Sequence, residues 1–172
     1  MSALDCDTPP SIGTTGGLAA LIRQYGLEAE IVEPGVPMPT VDAAAAAIGV
    51  QPQQIFKSLL FHSPAERCVL VVACGNARVD TSRVSEVTGI HGLRLAKPDV
   101  VLARTGYPAG GTPPIGHREP LPVVVDTRVI AQEWGFGGTG RSEWLLKIRS
   151  ADINRLTNAL VADVTKQHLQ EA

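Results

Sequence analysis

No stretch of this sequence approaches the roughly 18–20 consecutive apolar residues that span a bilayer, so no membrane segment is expected. The first twelve residues hold Asp5 and Asp7 and no basic group, which does not read as a secretory leader. Cysteine is scarce and odd in number. Cys6, Cys68 and Cys74 show no C-x-x-C spacing, which argues against a disulfide framework or a zinc site. Cys68 and Cys74 sit in an apolar run and read as buried free thiols. A reducing cytoplasm is the expected setting. A large excess of either sign of charge is also missing. The formal net charge is −2, which excludes gripping nucleic acid by bulk electrostatics, since each phosphate contact asks for a Lys or Arg. Internal repeats, a P-loop, a dinucleotide fingerprint and a Ser-His-Asp or Cys-His arrangement are all absent.

Apolar residues make up 44 % of the 172, enough for one sizeable core. The spacing predicts a short tail over residues 1–13, one domain over 14–166 and a second tail over 167–172. Helices are expected from Thr14 or Thr15 to Gly26, from Thr40 to Gly49, from Asp80 to Val87, and from Pro98 through Leu102. A last helix is expected from Ser150, as cap, to Val161. Strands are expected at Ala29–Glu33, Gln54–His62, Arg67–Cys74, Leu93–Leu95 and Leu121–Val125. The second and third of these form an antiparallel hairpin around Ser63-Pro64-Ala65-Glu66, and a final hairpin runs around Gly137–Gly140. Helices and strands are interspersed, so the class is α/β or mixed α+β with one mixed sheet.

Two features do not fit a purely structural reading. Thr105 to Arg118 packs four glycines and three prolines into fourteen residues. Such a segment is neither helix nor strand, and Pro113-Pro114 stiffens it. Gly110-Gly111 permits positive φ and close approach of another group, as a site for a carbonyl or oxyanion requires. Composition alone favours an ordinary surface turn, because glycine and proline dominate turns. The second feature is Lys57 in I-F-K-S-L-L-F. Alternation sets it with Leu59 and Phe61, opposite Phe56, Ser58, Leu60 and His62. It either snorkels from the strand start or holds an ammonium in a pocket, where desolvation depresses its pKa. Asp80 and Asp126 read as helix caps before they read as catalytic carboxylates. His117 stands out among the four histidines because it lies in the Gly/Pro loop.

Together these motifs resemble the YbaK/ProX family of aminoacyl-tRNA deacylases, which includes the editing domain inserted in bacterial prolyl-tRNA synthetases. F-K-S-L-L-F resembles the family's K-T/S-L strand, and T-G-Y-P-A-G-G-T-P-P-I-G-H its T-G-Y-x-x-G-G-x-x-P-x-G loop. V-V-V-D at 123–126, G-F-G-G-T-G-R with L-L-K-I, and I-N-R-L-T-N-A-L-V-A-D-V follow in the family's order, so the likeness runs from about Leu18 to Val164. The resemblance implies a small mixed α/β domain with a twisted, partly barrel-like sheet and surrounding helices. It implies hydrolysis of the ester joining a wrong amino acid to the 3′ end of a tRNA, without cofactor or metal. It makes Lys57 the essential residue and sets Gly110 and Gly111 beside the scissile carbonyl. Phe56, Ser58, Thr112, Gly116 and His117 are expected around the substrate. The chain has Pro113-Pro114 where YbaK proper has Ser-Pro, and His117 where it has Gln, so specificity for Cys-tRNA does not carry over. The expected partners are a mischarged tRNA and, as a source of affinity, an aminoacyl-tRNA synthetase. Two other readings use the same cleft: a non-catalytic module for an aminoacyl-adenosine-like ligand, and a hydrolase of small amino-acid esters.

Overall fold

A computed structural model describes residues 15–166. The expected tails, Thr14 and Cys6 lie outside the described residues. The first helix, α1 (Thr15–Gln24), buries Leu18 and Leu21 and ends at Gly26, which has φ +59°. After strand β1 (Glu30–Val32) comes α2 (Val41–Ile48). Its alanine run turns Ala44 and Ala45 inward, and the Thr40 hydroxyl accepts the Ala43 N–H at 3.1 Å.

Strands β2 (Phe56–His62) and β3 (Cys68–Cys74) form the expected antiparallel hairpin, with Phe56 opposite Cys74 and Lys57 opposite Ala73. Every residue of β3 is buried, because layers cover both its faces. Short β5 (Arg94–Leu95) pairs with the far end of β2. On the other side β6 (Val123–Asp126) runs parallel to β3, and β9 (Leu160–Ala162) parallel to β6. The sheet order is β5-β2-β3-β6-β9, a mixed sheet as the class predicts.

The expectation of one sheet is corrected in detail. β7 (Trp134–Gly137) and β8 (Leu145–Arg149) form the expected hairpin, but with β1 they make a separate antiparallel sheet, order β1-β8-β7. A single parallel bridge, Ile55 to Phe136, links the two sheets at the start of β2. A ribbon of β4 (Arg78–Val79) and β10 (Thr165–Lys166), not anticipated from the sequence, closes one end. The last helix is also corrected. α6 (Ser150–Thr157) stops at Asn158, which takes a left-handed φ of +49°, and Arg149 rather than Ser150 holds the cap position. Leu160 and Val161 instead extend the sheet opposite Val124 and Val125. α3 (Thr81–Thr88) and α4 (Pro98–Thr105) fall close to expectation, and α5 (Thr127–Ala131) is additional.

The five-stranded sheet separates two packing layers. Phe56, Leu60, Leu70, Val72 and Cys74 face Tyr107, Ile115 and the helices α1, α4 and α6. Leu59, Phe61, Val69 and Val71 face Val84 of α3, together with Val79 and Val164 of the ribbon segments.

Candidate functional site

Lys57 stands second in β2, on the Leu59–Phe61 face, as alternation predicts. It is half-buried, and its ammonium makes no ion pair or hydrogen bond among the described residues. Burial pulls its pKa below that of an ordinary lysine, and the nearby Cys74 opposes this. Cys74 is a neutral thiol whose pKa is pushed up to about 12, first by burial and then by Asp126. An ammonium that is partly desolvated and left without a partner carries a free-energy cost.

Phe56 and Ser58 point to the opposite face and are buried. The Ser58 hydroxyl has no hydrogen-bond partner among the described residues, in a position where a buried hydroxyl normally has one. No hydrogen bond links Lys57 to the glycine loop. The connection runs through β7, which lies against Phe56 and against Pro114.

The loop is built as two tight pieces. α4 ends at Gly106, and the Thr105 hydroxyl holds the exit by donating to the Val101 carbonyl (2.7 Å) and accepting the Tyr107 N–H. Pro108 to Gly111 then forms a β-turn, closed by Gly111 N–H to Pro108 carbonyl at 3.0 Å. Gly110 occupies its third position with φ +83°, where a side chain is strained. This reassigns the two glycines. Gly111 has no positive φ, and its N–H is already used inside the turn. Gly110 is exposed, and its N–H has no acceptor among the described residues, so Gly110 is the free donor. Thr112 is buried, with its hydroxyl donating to the Pro108 carbonyl at 3.3 Å. Gly116 takes φ +76° at the second bend.

His117 staples that bend. Its Nε2–H donates to the Pro113 carbonyl at 2.7 Å, which fixes the neutral tautomer and leaves Nδ1 as the acceptor nitrogen. Burial lowers its pKa to about 4, against a small opposing effect of the Pro113 carbonyl. The folded state therefore prefers the neutral ring between the ordinary value near 6.5 and about 4. The stability this confers is complete above about pH 6.5 and is lost as pH falls toward 4, by at most about 3 kcal/mol. Wild type should lose melting temperature across that window faster than His117→Gln, whose side chain does not titrate. Parallel melting curves would remove this role.

Gly137–Gly140 belongs to the expected hairpin, but the reason glycine recurs there lies in packing. Built on Gly138, a Cβ would stand 2.7 Å from the Gly111 carbonyl oxygen and 2.9 Å from that of Thr112. On Gly137 it would meet Pro114 at 2.8 Å, and on Gly135 it would overlap the Phe56 ring. The Gly140 N–H donates to the Gly111 carbonyl at 2.8 Å. Bare backbone thus lets the hairpin lie directly on the glycine loop. Its G-x-G spacing, read as a packing signal rather than a turn, is the trace this leaves in the sequence. Past Gly140 the hairpin opens into a depression of 330 Å³ lined by Gly140, Arg141, Ser142 and Glu143, with Arg141 stacked 4.2 Å over Trp144.

The structural readings hold elsewhere. Asp80 caps α3 by accepting the Ser82 N–H, and Asp126 caps α5 by accepting the Arg128 N–H. Asp126 is fully buried and also accepts from the Val164 N–H and the Thr165 hydroxyl. Cys68 and Cys74 are buried free thiols. Among the described residues no three His, Cys, Asp or Glu side chains gather as a metal site, and no helix is long and apolar enough to cross a membrane.

A family model described as the aminoacyl-tRNA editing domain matches residues 36–156, which include β2, the glycine loop and the β7–β8 hairpin. The chain belongs to that family. This editing domain is 28 % identical over 144 residues to YwhH of Bacillus subtilis, an uncharacterised protein, covering 83 % of this chain and 91 % of YwhH. It is 31 % identical over 109 residues to a proline–tRNA ligase of Limosilactobacillus fermentum, covering 60 % of this chain but 19 % of the ligase. A solved structure described as a proposed trans-editing enzyme for prolyl-tRNA synthetase superposes with a TM-score of 0.79 at 30 % identity. That superposition covers 92 % of this editing domain and 98 % of the other chain. The family resemblance read from the motifs and the mixed α/β fold are thereby established.

Proposed function

We propose that this protein hydrolyses the ester linking a wrong amino acid to the 3′ end of a tRNA, acting in trans on the charged tRNA. The observation that supports this most is the half-buried, unpartnered Lys57 in a chain of the editing-domain family. Water adds to the ester carbonyl carbon, and the resulting oxyanion is held by hydrogen-bond donors. The bond to the ribose oxygen then breaks, releasing the free amino acid and the tRNA hydroxyl. In this reading Lys57 donates to a substrate oxygen and positions the attacking water, and the Gly110 N–H is an oxyanion donor. One such donor is typically worth about 10²–10³ in rate. An aminoacyl ester is already activated, so no protein nucleophile and no metal ion is needed. Phe56, Ser58, Thr112, Gly116 and His117 shape the surroundings of the amino acid rather than react. The setting is the cytoplasm, and prolyl-tRNA synthetase is the partner that the described relative suggests.

The test is single-turnover deacylation of a panel of mischarged tRNAs beside the matching free amino-acid esters, with and without a chelator. At least one mischarged tRNA should be hydrolysed far faster than its free ester, equally in both conditions. Hydrolysis of free esters alone would favour a small-molecule esterase, and hydrolysis of neither would leave a binding module.

A further inference from the structure

The β4–β10 ribbon carries a charge pattern that ester hydrolysis does not use. Its register sets Lys166 directly opposite Arg78, and both are exposed. Like charges facing each other across a strand pair are destabilising. Neither residue has an ion pair among the described residues. Two further cations flank them: Arg83 donates to the Thr165 carbonyl at 3.3 Å, and Arg128 donates to the Thr165 hydroxyl. Arg83 and Arg128 share the exposed Asp163, at 3.1 and 3.9 Å, and Arg83 also lies 3.7 Å from Asp80. Asp126 is fully buried, makes three hydrogen bonds and lies 3.8 Å from Arg128, so its charge is met by Arg128 and leaves Arg78 and Lys166 untouched. Arg78 and Lys166 therefore remain as uncompensated positive charge on a chain whose net charge is −2.

The position of this patch matters as much as its charge. Val79 and Val164 of the ribbon segments pack with Leu59 and Phe61, the residues that share a face with Lys57. The start of β2 and the ends of β3 and β6 lie at one end of the sheet, because β3 and β6 run parallel and β2 opposes them. That end therefore holds Lys57, Cys74 and Asp126. The Cys74 thiol senses Asp126, Arg128 and Lys57 together, which agrees with this convergence. The cations of the ribbon thus continue from the Lys57 end of the sheet.

We infer that the β4–β10 ribbon, through Arg78 and Lys166 with Arg83 and Arg128 beside them, docks the phosphate backbone of the RNA whose 3′ end is read at Lys57. This rests on the deacylase reading for the identity of the RNA. Phosphates relieve the repulsion between Arg78 and Lys166, and a local patch explains how a weakly acidic protein holds a polyanion.

The experiment measures binding of fluorescently labelled, deacylated bulk tRNA by anisotropy between 50 and 200 mM salt. Arg78→Ala/Lys166→Ala should weaken binding about tenfold and reduce the slope of log affinity against log salt by about two, one per lost phosphate contact. Its melting temperature should stay level or rise, because a repulsive pair has been removed. Arg94→Ala/Lys97→Ala makes the same change of net charge near the opposite end of β2 and should bind as wild type does. Unchanged affinity and slope in Arg78→Ala/Lys166→Ala would overturn the inference, and so would an equal loss in the Arg94/Lys97 control. Binding needs no ester cleavage, so the two readings fail separately. A hydrolysed panel with binding indifferent to Arg78 and Lys166 removes only the docking surface. A silent panel with binding that depends on them removes only the deacylase.

Discussion

Lys57→Ala should abolish most deacylation while leaving the fold intact. The rate on the best mischarged tRNA is expected to fall by about 10²–10³, the scale of a lost charge-stabilising donor. Stability should hold or rise, since the substitution removes an ammonium that is half-buried and unpaired. A structural lysine behaves the other way, because truncating its stem costs packing while activity follows the folded fraction. Lys57→Arg should not restore the rate, as the guanidinium is planar, larger and unable to give up its proton. The direction of the Lys57 pKa adds a pH signature. If the ammonium is the working form, the alkaline limb of the rate profile should lie below the ordinary lysine value of 10.5. Single-turnover rates across pH, taken beside a thermal melt of each variant, check all three points. A folded Lys57→Ala enzyme with wild-type rate would remove the residue on which the mechanism turns.

Gly138→Ala should damage the seat of the hairpin on the glycine loop. Its Cβ would meet the Gly111 and Thr112 carbonyl oxygens at 2.7 and 2.9 Å, and both are backbone atoms that cannot rotate away. The hairpin must lift from the loop, at about 1–3 kcal/mol, and the β-turn carrying Gly110 loses its backing. Melting temperature and deacylation should both fall. Gly111→Ala gives the contrast. There the added Cβ finds its nearest neighbour at 3.4 Å, the φ is not positive, and the N–H stays bonded to Pro108. It should melt and react nearly as wild type does. Equal damage from both substitutions would mean that the glycine loop, not the hairpin seated on it, sets the tolerance of this region.

The contrast between these two glycines shows where reading the sequence stops. Gly110-Gly111 stands out as a pair, and nothing in the chain separates a residue that needs positive φ from one that does not. The distinction comes from the Pro108–Gly111 hydrogen bond, which exists only once the turn has closed. Gly137 and Gly138 look like turn punctuation and Gly135 like an ordinary strand residue, yet all three clear space for Phe56, Pro114 and the loop carbonyls. Those neighbours are distant in sequence. The apolar spacing predicts too long an α6 because Leu160 continues it, while Val124, the parallel strand partner that draws Leu160 into the sheet, is 36 positions away.

Much was nonetheless legible along the chain. Period-two alternation placed Lys57 on one face of β2 and Phe56 and Ser58 on the other, because the pleat of a strand is a local property. The apolar run of β3, the Thr40, Asp80 and Asp126 caps, and the family motifs were equally available, since each depends on neighbouring residues. Tertiary structure alone decided three things: the division into two sheets and a ribbon, the backing of the glycine loop by bare hairpin backbone, and the meeting of Arg78 with Lys166. All three are pairings between distant segments. Their register is set by how buried faces fit together, and no local pattern in the chain encodes that fit.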